Sequence, residues 1–214
     1  MHVVDLPGHI QPGASRRIWN RLGDYMEHLD NQVSQIDGPV VLVGHSMGGL
    51  VTQRVLERRT VAAAVLVASA PRRGVAGAVA RLARRDPKRV AASLTSLSMW
   101  PFVADDDAVR AQLFSDATPA DVVAATGAKL QNESYPAFIS MLFRWPRPKR
   151  VITPILVIAA VQDALFTLAE QADLADAYQA PIERIEAGHN LMLEPSWPEL
   201  VEHISTWTRE HVAN

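Results

Sequence analysis

The sequence of 214 residues contains no cysteine. This absence excludes disulfides, a thiolate nucleophile and cysteine-ligated zinc. An excess of charge of one sign is also missing, because 21 Lys and Arg residues are balanced by 23 Asp and Glu residues, for a formal net charge of -2. Strongly basic proteins are the ones drawn to nucleic acids and anionic membranes, so neither is expected as a partner.

Long hydrophobic runs are absent as well. The longest, residues 61–68 and 155–161, are too short to cross a bilayer. The start MHVVDLPGH has neither the basic segment nor the apolar core of a secretory signal. We therefore expect no stable membrane insertion and a cytoplasmic location. Because hydrophobic residues make up 48% of the chain, it can bury a sizeable core, and we expect a single domain with an insertion.

Short apolar runs rich in β-branched residues alternate with longer segments in which apolar residues recur every three to four positions. This alternation predicts the α/β class, with a mostly parallel sheet of about five strands and flanking helices. Capping boxes at Thr167 with Glu170 and at Ser196 with Glu199 predict two helix starts. The predicted strands are residues 2–5, 39–43, 61–67, 154–160 and 181–185.

Residues 71–150 interrupt this pattern. They contain apolar positions at helical spacing but no strand-like run, and Pro146 and Pro148 mark their end. We predict a helical insertion here, called the cap segment below, within a core formed by residues 1–70 and 151–214. Its apolar side chains suit a lid over an apolar pocket, and equally the ordinary packing of the segment on the core. These side chains are Leu94, Leu97, Met99, Trp100, Phe102, Leu142, Phe143 and Trp145.

Charged clusters in the cap segment allow two interpretations each. The basic cluster could bind an anionic substrate or a lipid headgroup, although a solvated helix face is the more common arrangement. The run from Asp105 to Asp107 has no histidine beside it, which favours a solvated turn or a helix start over a metal site. The basic cluster consists of Arg72, Arg73, Arg81, Arg84, Arg85, Lys88 and Arg89.

The stretch VVLVGHSMGGLV, residues 40–51, runs an apolar strand directly into a serine between glycines. Strand, GxSxG and helix in this order form a nucleophile elbow, a sharp turn that presents the hydroxyl of Ser46. We expect glycine at positions Gly44 and Gly48 because a Cβ atom there would collide as the strand turns into the helix. The N–H of Met47 is then placed to bind an oxyanion. A glycine-rich phosphate turn is the alternative, disfavoured because no Lys and Ser or Thr pair follows the last glycine.

A serine hydroxyl is a weak nucleophile at neutral pH and needs a histidine base oriented by a carboxylate, which in this topology follow the serine in the order acid, then histidine. Asp163 follows the apolar run PILVIAAVQD, and His189 lies in EAGHNLMLE after the last predicted strand. With Ser46 they form the candidate catalytic set. His9 is a weaker candidate base, because the other histidines are assigned to surface helices, a strand or the elbow itself.

Three segments, GHSMGG, GHNLMLEPSW and DLPGH, resemble the α/β-hydrolase fold family, in particular small esterase and lysophospholipase-like members and cofactor-free haloperoxidases. The resemblance covers residues 1–70 and 151–214. It implies a Ser46, Asp163 and His189 triad, the Met47 N–H as one oxyanion donor, and no metal or organic cofactor. The implied activity is cleavage of carboxylic esters, with a small-molecule ester bearing an apolar acyl group as substrate. Perhydrolase or haloperoxidase activity on the same triad, or a weakly active or inactive remnant acting as a binding module, are the alternatives.

The chain departs from the family at its beginning. In this fold DLPGH ends the fourth strand, so the first three strands and the loop that carries the second oxyanion amide are expected to be missing. We expect residues 2–5 to pair directly with 39–43 and to form an exposed edge that favours a homodimer. A partner chain in the gap or a shortened reading frame are alternatives. A backbone amide near Gly8, or the side chain of His9, could replace the lost donor, although an ordinary loop role is favoured.

Overall fold

The computed structural model describes residues 2–9 and 19–212. Within them, four strands form one parallel sheet, in which the strands lie side by side in chain order. Every residue of the two central strands is buried, as expected for strands that are covered on both faces. The predicted α/β class is confirmed. The strands are β1 (Val41–His45), β2 (Ala63–Val67), β3 (Ile155–Ala160) and β4 (Ile182–Ile185).

Helices pack on both faces of the sheet, namely α1 (Leu22–Ser34), α2 (Met47–Leu56), α8 (Leu168–Tyr178) and α9 (Trp197–Val212). Along β2, Ala64 and Leu66 join the hydrophobic cluster under α1, α2 and α8, whereas Val65 and Val67 join the cluster under α9. This alternation follows from the twofold periodicity of a strand.

The cap segment lies between β2 and β3 in the chain, is described throughout, and contains helices but no strand. This agrees with the prediction of a helical insertion. No helix among the described residues is long and apolar enough to cross a membrane. The helices of the cap segment are α3 (Ala76–Arg85), α4 (Pro87–Ser96), α5 (Asp106–Leu113), α6 (Ala120–Gly127) and α7 (Tyr135–Phe143).

The prediction that residues 2–5 form a strand is wrong. They have no regular secondary structure, and Val4 and Leu6 instead pack against the hydrophobic cluster under α1 and α2. An apolar run can pack its side chains against the core without pairing in a sheet, as Val4 does here. In the described residues the edge strands are therefore β1 and β4, and on β1 Val43 is 51% exposed. The homodimer remains a prediction, without the strand on which it was based.

Hydrogen bonds at the helix starts test the predicted caps. The Thr167 and Glu170 capping box is confirmed, because the Glu170 N–H donates to Thr167 Oγ1 at 3.2 Å and the Thr167 N–H donates to Glu170 Oε2 at 2.8 Å. Helix α9 begins directly after Ser196, but the Ser196 hydroxyl has no partner among the described residues, so its predicted capping box is wrong. Asp105 accepts the Ala108 N–H at 2.9 Å as the N-cap of α5, which supports a helix start.

Candidate active site

Ser46 stands at the sharp turn between β1 and α2. Its backbone has φ 51° and ψ -121°, a conformation that is strained for a residue with a side chain. The end of β2 holds this conformation in place. The Ser46 N–H donates to Val67 O at 3.1 Å, and Ser46 O accepts the Ala70 N–H at 3.0 Å.

Space for this turn depends on glycines, though not on both of those predicted. A Cβ at Gly44 would lie 2.5 Å from Thr52 Oγ1 and 2.7 Å from Gly48 O, so this expectation is confirmed. The expectation for Gly48 is wrong, since a Cβ there would meet nothing within 4 Å. The crowded position is Gly49, where a Cβ would lie 2.6 Å from Ser69 Cβ. The second tight contact is therefore between helix α2 and the segment after β2.

The structure brings the three candidate side chains into one hydrogen-bonded chain. His189 Nε2 lies 2.9 Å from Ser46 Oγ, and His189 Nδ1 lies 2.8 Å from Asp163 Oδ2. The side chains of His189 and Asp163 are 2% and 1% exposed. A buried carboxylate on Nδ1 favours the tautomer that carries its proton there. Nε2 is thus left as an acceptor for the serine proton.

Asp163 is itself held in one orientation. It follows β3 after a short turn, and its Oδ1 accepts the backbone N–H groups of Leu165 at 2.7 Å and Phe166 at 3.0 Å. Because these bonds occupy Oδ1, Oδ2 is the oxygen that faces the imidazole. His189 follows β4 in the same way, so the carboxyl ends of neighbouring parallel strands supply both side chains.

His45 is a neighbour of the candidate set to which the sequence assigned no role. Burial lowers the pKa of His45 to about 3, so the ring is neutral. Its Nε2 lies 2.9 Å from His189 O, which as a carbonyl oxygen can only accept the hydrogen bond. The two imidazole ring centres are 4.8 Å apart. His45 therefore positions the main chain of His189 rather than its ring nitrogens.

Glu194 is a second residue that the sequence analysis missed. It is 1% exposed, and its Oε1 accepts the N–H of Gly188 and the N–H of Ser115, each at 2.8 Å, while Oε2 accepts the Ser115 hydroxyl. A Cβ at Gly188 would lie 2.6 Å from the Ser115 nitrogen. The carboxylate therefore joins the loop that carries His189 to the cap segment. Its signal in the sequence was a lone acid in the apolar run NLMLEPSW.

A cavity of about 420 Å³ adjoins Ser46 and His189. Its wall is mostly apolar and comes largely from the cap segment, including Val79, Leu82 and Phe138. Of the eight predicted lid residues, Leu94, Met99 and Phe102 line it, whereas Phe143 and Trp145 are 78% and 53% exposed. Such an enclosure suits an apolar group of a small molecule.

Met47 is the first residue of α2 and also lines the cavity. An N–H at the first position of a helix has no intrahelical acceptor, so it is available to a ligand.

His9, the weaker candidate base, is not one of the residues that line the cavity. Its Nε2 is 3.3 Å from Glu133 Oε1, and this hydrogen bond raises the pKa of His9.

The basic cluster is largely engaged with carboxylates. Arg89 contacts Asp86 at 2.9 Å and Asp105 at 2.7 Å. Arg72 lies 2.7 Å from Asp173 and Arg81 lies 2.6 Å from Glu170. These ion pairs favour the interpretation as a solvated helix face over an anion-binding site. None of the seven basic residues lines the cavity.

Comparison with known proteins agrees with this architecture. A model described as the alpha/beta hydrolase family matches residues 1–202. The chain belongs to the α/β-hydrolase family, which makes it a member of a hydrolase superfamily. Comparison with curated proteins finds no sequence match.

Several solved structures share the fold. BpoC from Mycobacterium tuberculosis H37Rv, named as a non-heme bromoperoxidase, is 20% identical with a TM-score of 0.67, over 91% of this chain and 74% of that one. A thermophilic esterase from Thermogutta terrifontis is 21% identical with a TM-score of 0.63, over 92% and 75%. MenH from S. aureus is 20% identical with a TM-score of 0.68, over 97% and 82%. At these identities the likeness establishes the fold alone.

Proposed function

We propose that this hydrolase-family chain is a serine esterase, which cleaves carboxylic esters through an acyl-enzyme. The observation that carries the proposal is the continuous chain from Ser46 Oγ through His189 to Asp163, at 2.9 Å and 2.8 Å, beside an apolar cavity. A nucleophile within hydrogen-bond distance of a base, which a buried acid orients in turn, is the arrangement that acyl transfer requires.

In the first half-reaction, His189 Nε2 takes the proton of Ser46 as Oγ attacks the ester carbonyl carbon. The tetrahedral oxyanion is stabilised by the Met47 N–H at the start of α2. Asp163 stabilises the imidazolium that forms. The histidine then returns its proton to the alkoxy oxygen, the bond between carbon and that oxygen breaks, and the alcohol leaves.

In the second half-reaction, water attacks the acyl-enzyme. His189 accepts a proton from the water, the second tetrahedral intermediate forms on the same donor, and the carboxylic acid is released as Ser46 regains its proton. The apolar wall of the cavity favours an aliphatic or aromatic group on the acyl or the alcohol side. No step uses a metal or an organic cofactor, and the cytoplasmic location remains a prediction.

A fluorophosphonate probe tests the nucleophile. We expect the wild type to be labelled stoichiometrically, with one mass increment on Ser46, and the Ser46→Ala variant to remain unlabelled. His189→Ala, which keeps the serine but removes its base, is expected to label at least 100-fold more slowly. Hydrolysis of 4-nitrophenyl esters of increasing chain length then tests the ester substrate.

Absence of labelling in protein that unfolds cooperatively would contradict the proposal and favour the binding-module alternative. Equal labelling of wild type and Ser46→Ala would place the reactive group elsewhere. Labelling at Ser46 without turnover of any ester would retain the nucleophile but refute the ester substrate.

A further inference from the structure

Glu133 is the one acidic residue among the described residues that line the cavity, and no Lys or Arg of that part of the chain lines it. It shares this cavity with Ser46 and His189, although the proposed reaction does not use it. Its side chain is 35% exposed. An ionised carboxylate in a mostly apolar wall is unfavourable unless hydrogen bonds compensate it. Its position therefore calls for an explanation.

One oxygen of Glu133 is fully occupied. Oε1 accepts the Ser134 N–H at 2.6 Å and the Tyr25 hydroxyl at 3.2 Å, and lies 3.3 Å from His9 Nε2. These donors come from three separate segments: the start of α7, helix α1 and the loop after residues 2–6. Burial raises the pKa of Tyr25 above its ordinary range, so the phenol stays protonated and remains a donor. The carboxylate is thus fixed in one orientation.

The other oxygen, Oε2, accepts no hydrogen bond from any described residue. A carboxylate oxygen can only accept, so the group that complements it must be a hydrogen-bond donor. A formal cation is less suitable, because His9 already lies against the carboxylate and its raised pKa increases the fraction that is positively charged. An uncharged hydroxyl satisfies Oε2 without adding a second positive charge.

We propose that Glu133 is a specificity residue that accepts a hydrogen bond from a hydroxyl group of the substrate. The inference rests on the proposed function. The substrate class is then an ester that carries an aliphatic chain with a hydroxyl on it, rather than a purely apolar ester. Gln131, which also lines the cavity, provides a matched position two residues away.

The test measures binding in the Ser46→Ala background, so that no ester is consumed. Two matched pairs are titrated by NMR: methyl hexanoate against methyl 6-hydroxyhexanoate, and hexyl acetate against 6-hydroxyhexyl acetate. With Glu133 present, we expect the hydroxylated member of at least one pair to bind as tightly as its plain partner or more tightly. With Glu133→Leu added, it should bind about 10- to 100-fold more weakly than the plain partner, because the buried hydroxyl is left unpaired.

Gln131→Leu in the same background is the control, and it should leave the ratio of the two dissociation constants within about threefold. If Glu133→Leu does not fold, as judged by its NMR spectrum, Glu133→Gln serves instead. The donors around Oε1 fix the amide oxygen there and place the NH₂ group at the position of Oε2, so the preference for the hydroxylated ester should fall about threefold or more.

An unchanged ratio in the Glu133 variant would overturn the inference, as would an equal effect of Gln131→Leu. Tighter binding of methyl 6-aminohexanoate than of methyl 6-hydroxyhexanoate would show that Glu133 favours a cation, and would overturn the inference that its ligand is an uncharged hydroxyl. Failure of the proposed function is distinguishable, because Ser46 labelling and ester turnover report on catalysis, whereas the binding ratio does not depend on catalysis.

Discussion

Replacing His45 by Gln is expected to remove a pH-dependent loss of stability from the protein. His45 is neutral in the folded state because burial lowers its pKa to about 3, whereas in the unfolded chain a histidine has its ordinary pKa of about 6.5. Gln carries an amide N–H₂ that can donate to the carbonyl of His189, as the imidazole Nε2 does at 2.9 Å. It does so without titrating.

The sign and size follow from proton linkage. Below pH 6.5 the unfolded state binds a proton at His45 that the folded state does not, so the free energy of unfolding falls as the pH falls. The slope approaches about 1.4 kcal/mol per pH unit, which amounts to about 2 kcal/mol between pH 7.5 and pH 5. The side chain borders the cavity, and part of it can be solvated, so this figure is an upper limit. The full stability contribution is present above pH 6.5.

Urea unfolding of the wild type and His45→Gln at pH 7.5, 6.5, 5.5 and 5.0 measures this effect. All other side chains are the same in both proteins, so their contributions cancel in the difference between the two free energies of unfolding. We expect the difference to move in favour of the variant as the pH falls. A difference that stays constant across this range would show that His45 titrates alike in the folded and unfolded states, and would refute the argument from burial.

Substitutions at four further positions test the site. Asp163→Asn should lower kcat about 10⁴-fold in an ester assay. The two backbone N–H groups that bind Oδ1 would hold the amide oxygen, so the NH₂ group would face the imidazole and reverse its tautomer. A loss below tenfold would contradict this orientation. Gly49→Ala should lower the free energy of unfolding in urea by about 1–3 kcal/mol, because its Cβ overpacks against Ser69. Gly48→Ala, whose Cβ meets nothing within 4 Å, should be neutral or stabilising. Equal effects of the two substitutions would refute the assignment of the tight contact. Glu194→Ala should cost about 3 kcal/mol or more in the same assay and reduce turnover, because it leaves two buried backbone N–H groups without a partner. Glu194→Gln, which keeps one acceptor, should recover most of that stability, and a variant as unstable as the alanine would point to the charge rather than to the hydrogen bonds.

The central strands were predictable because a strand that is buried on both faces has a continuous apolar sequence. Residues 61–67 and 154–160 are continuous apolar runs, and they contain β2 and β3. Residues 2–5 show why the same reasoning fails at the edge of a sheet. A short apolar run indicates that its side chains are buried. It does not indicate whether its backbone pairs with a neighbouring strand or only packs on the core.

The members of the candidate triad were predictable from chain order, because each follows a strand, directly or after a short turn, and the carboxyl ends of parallel strands lie at one edge of the sheet. The residues that hold them in place were not. Glu194 acts on two backbone N–H groups, one of them in the cap segment, and His45 acts on a backbone carbonyl. Backbone groups are present at every position, so no residue pattern shows which of them will meet a given side chain.

The loop of His189 is fixed from both parts of the molecule. From the core, the ring of His45 holds the carbonyl of His189. From the cap segment, Ser115 shares the Glu194 carboxylate with the N–H of Gly188, and Leu113 O accepts the N–H of Asn190 at 2.8 Å. The residues on either side of His189 are therefore both hydrogen-bonded toward the cap segment, Asn190 directly and Gly188 through Glu194. A displacement of the segment after α5 would therefore move the imidazole relative to Ser46, and substitutions in that segment should alter kcat even where they do not line the cavity.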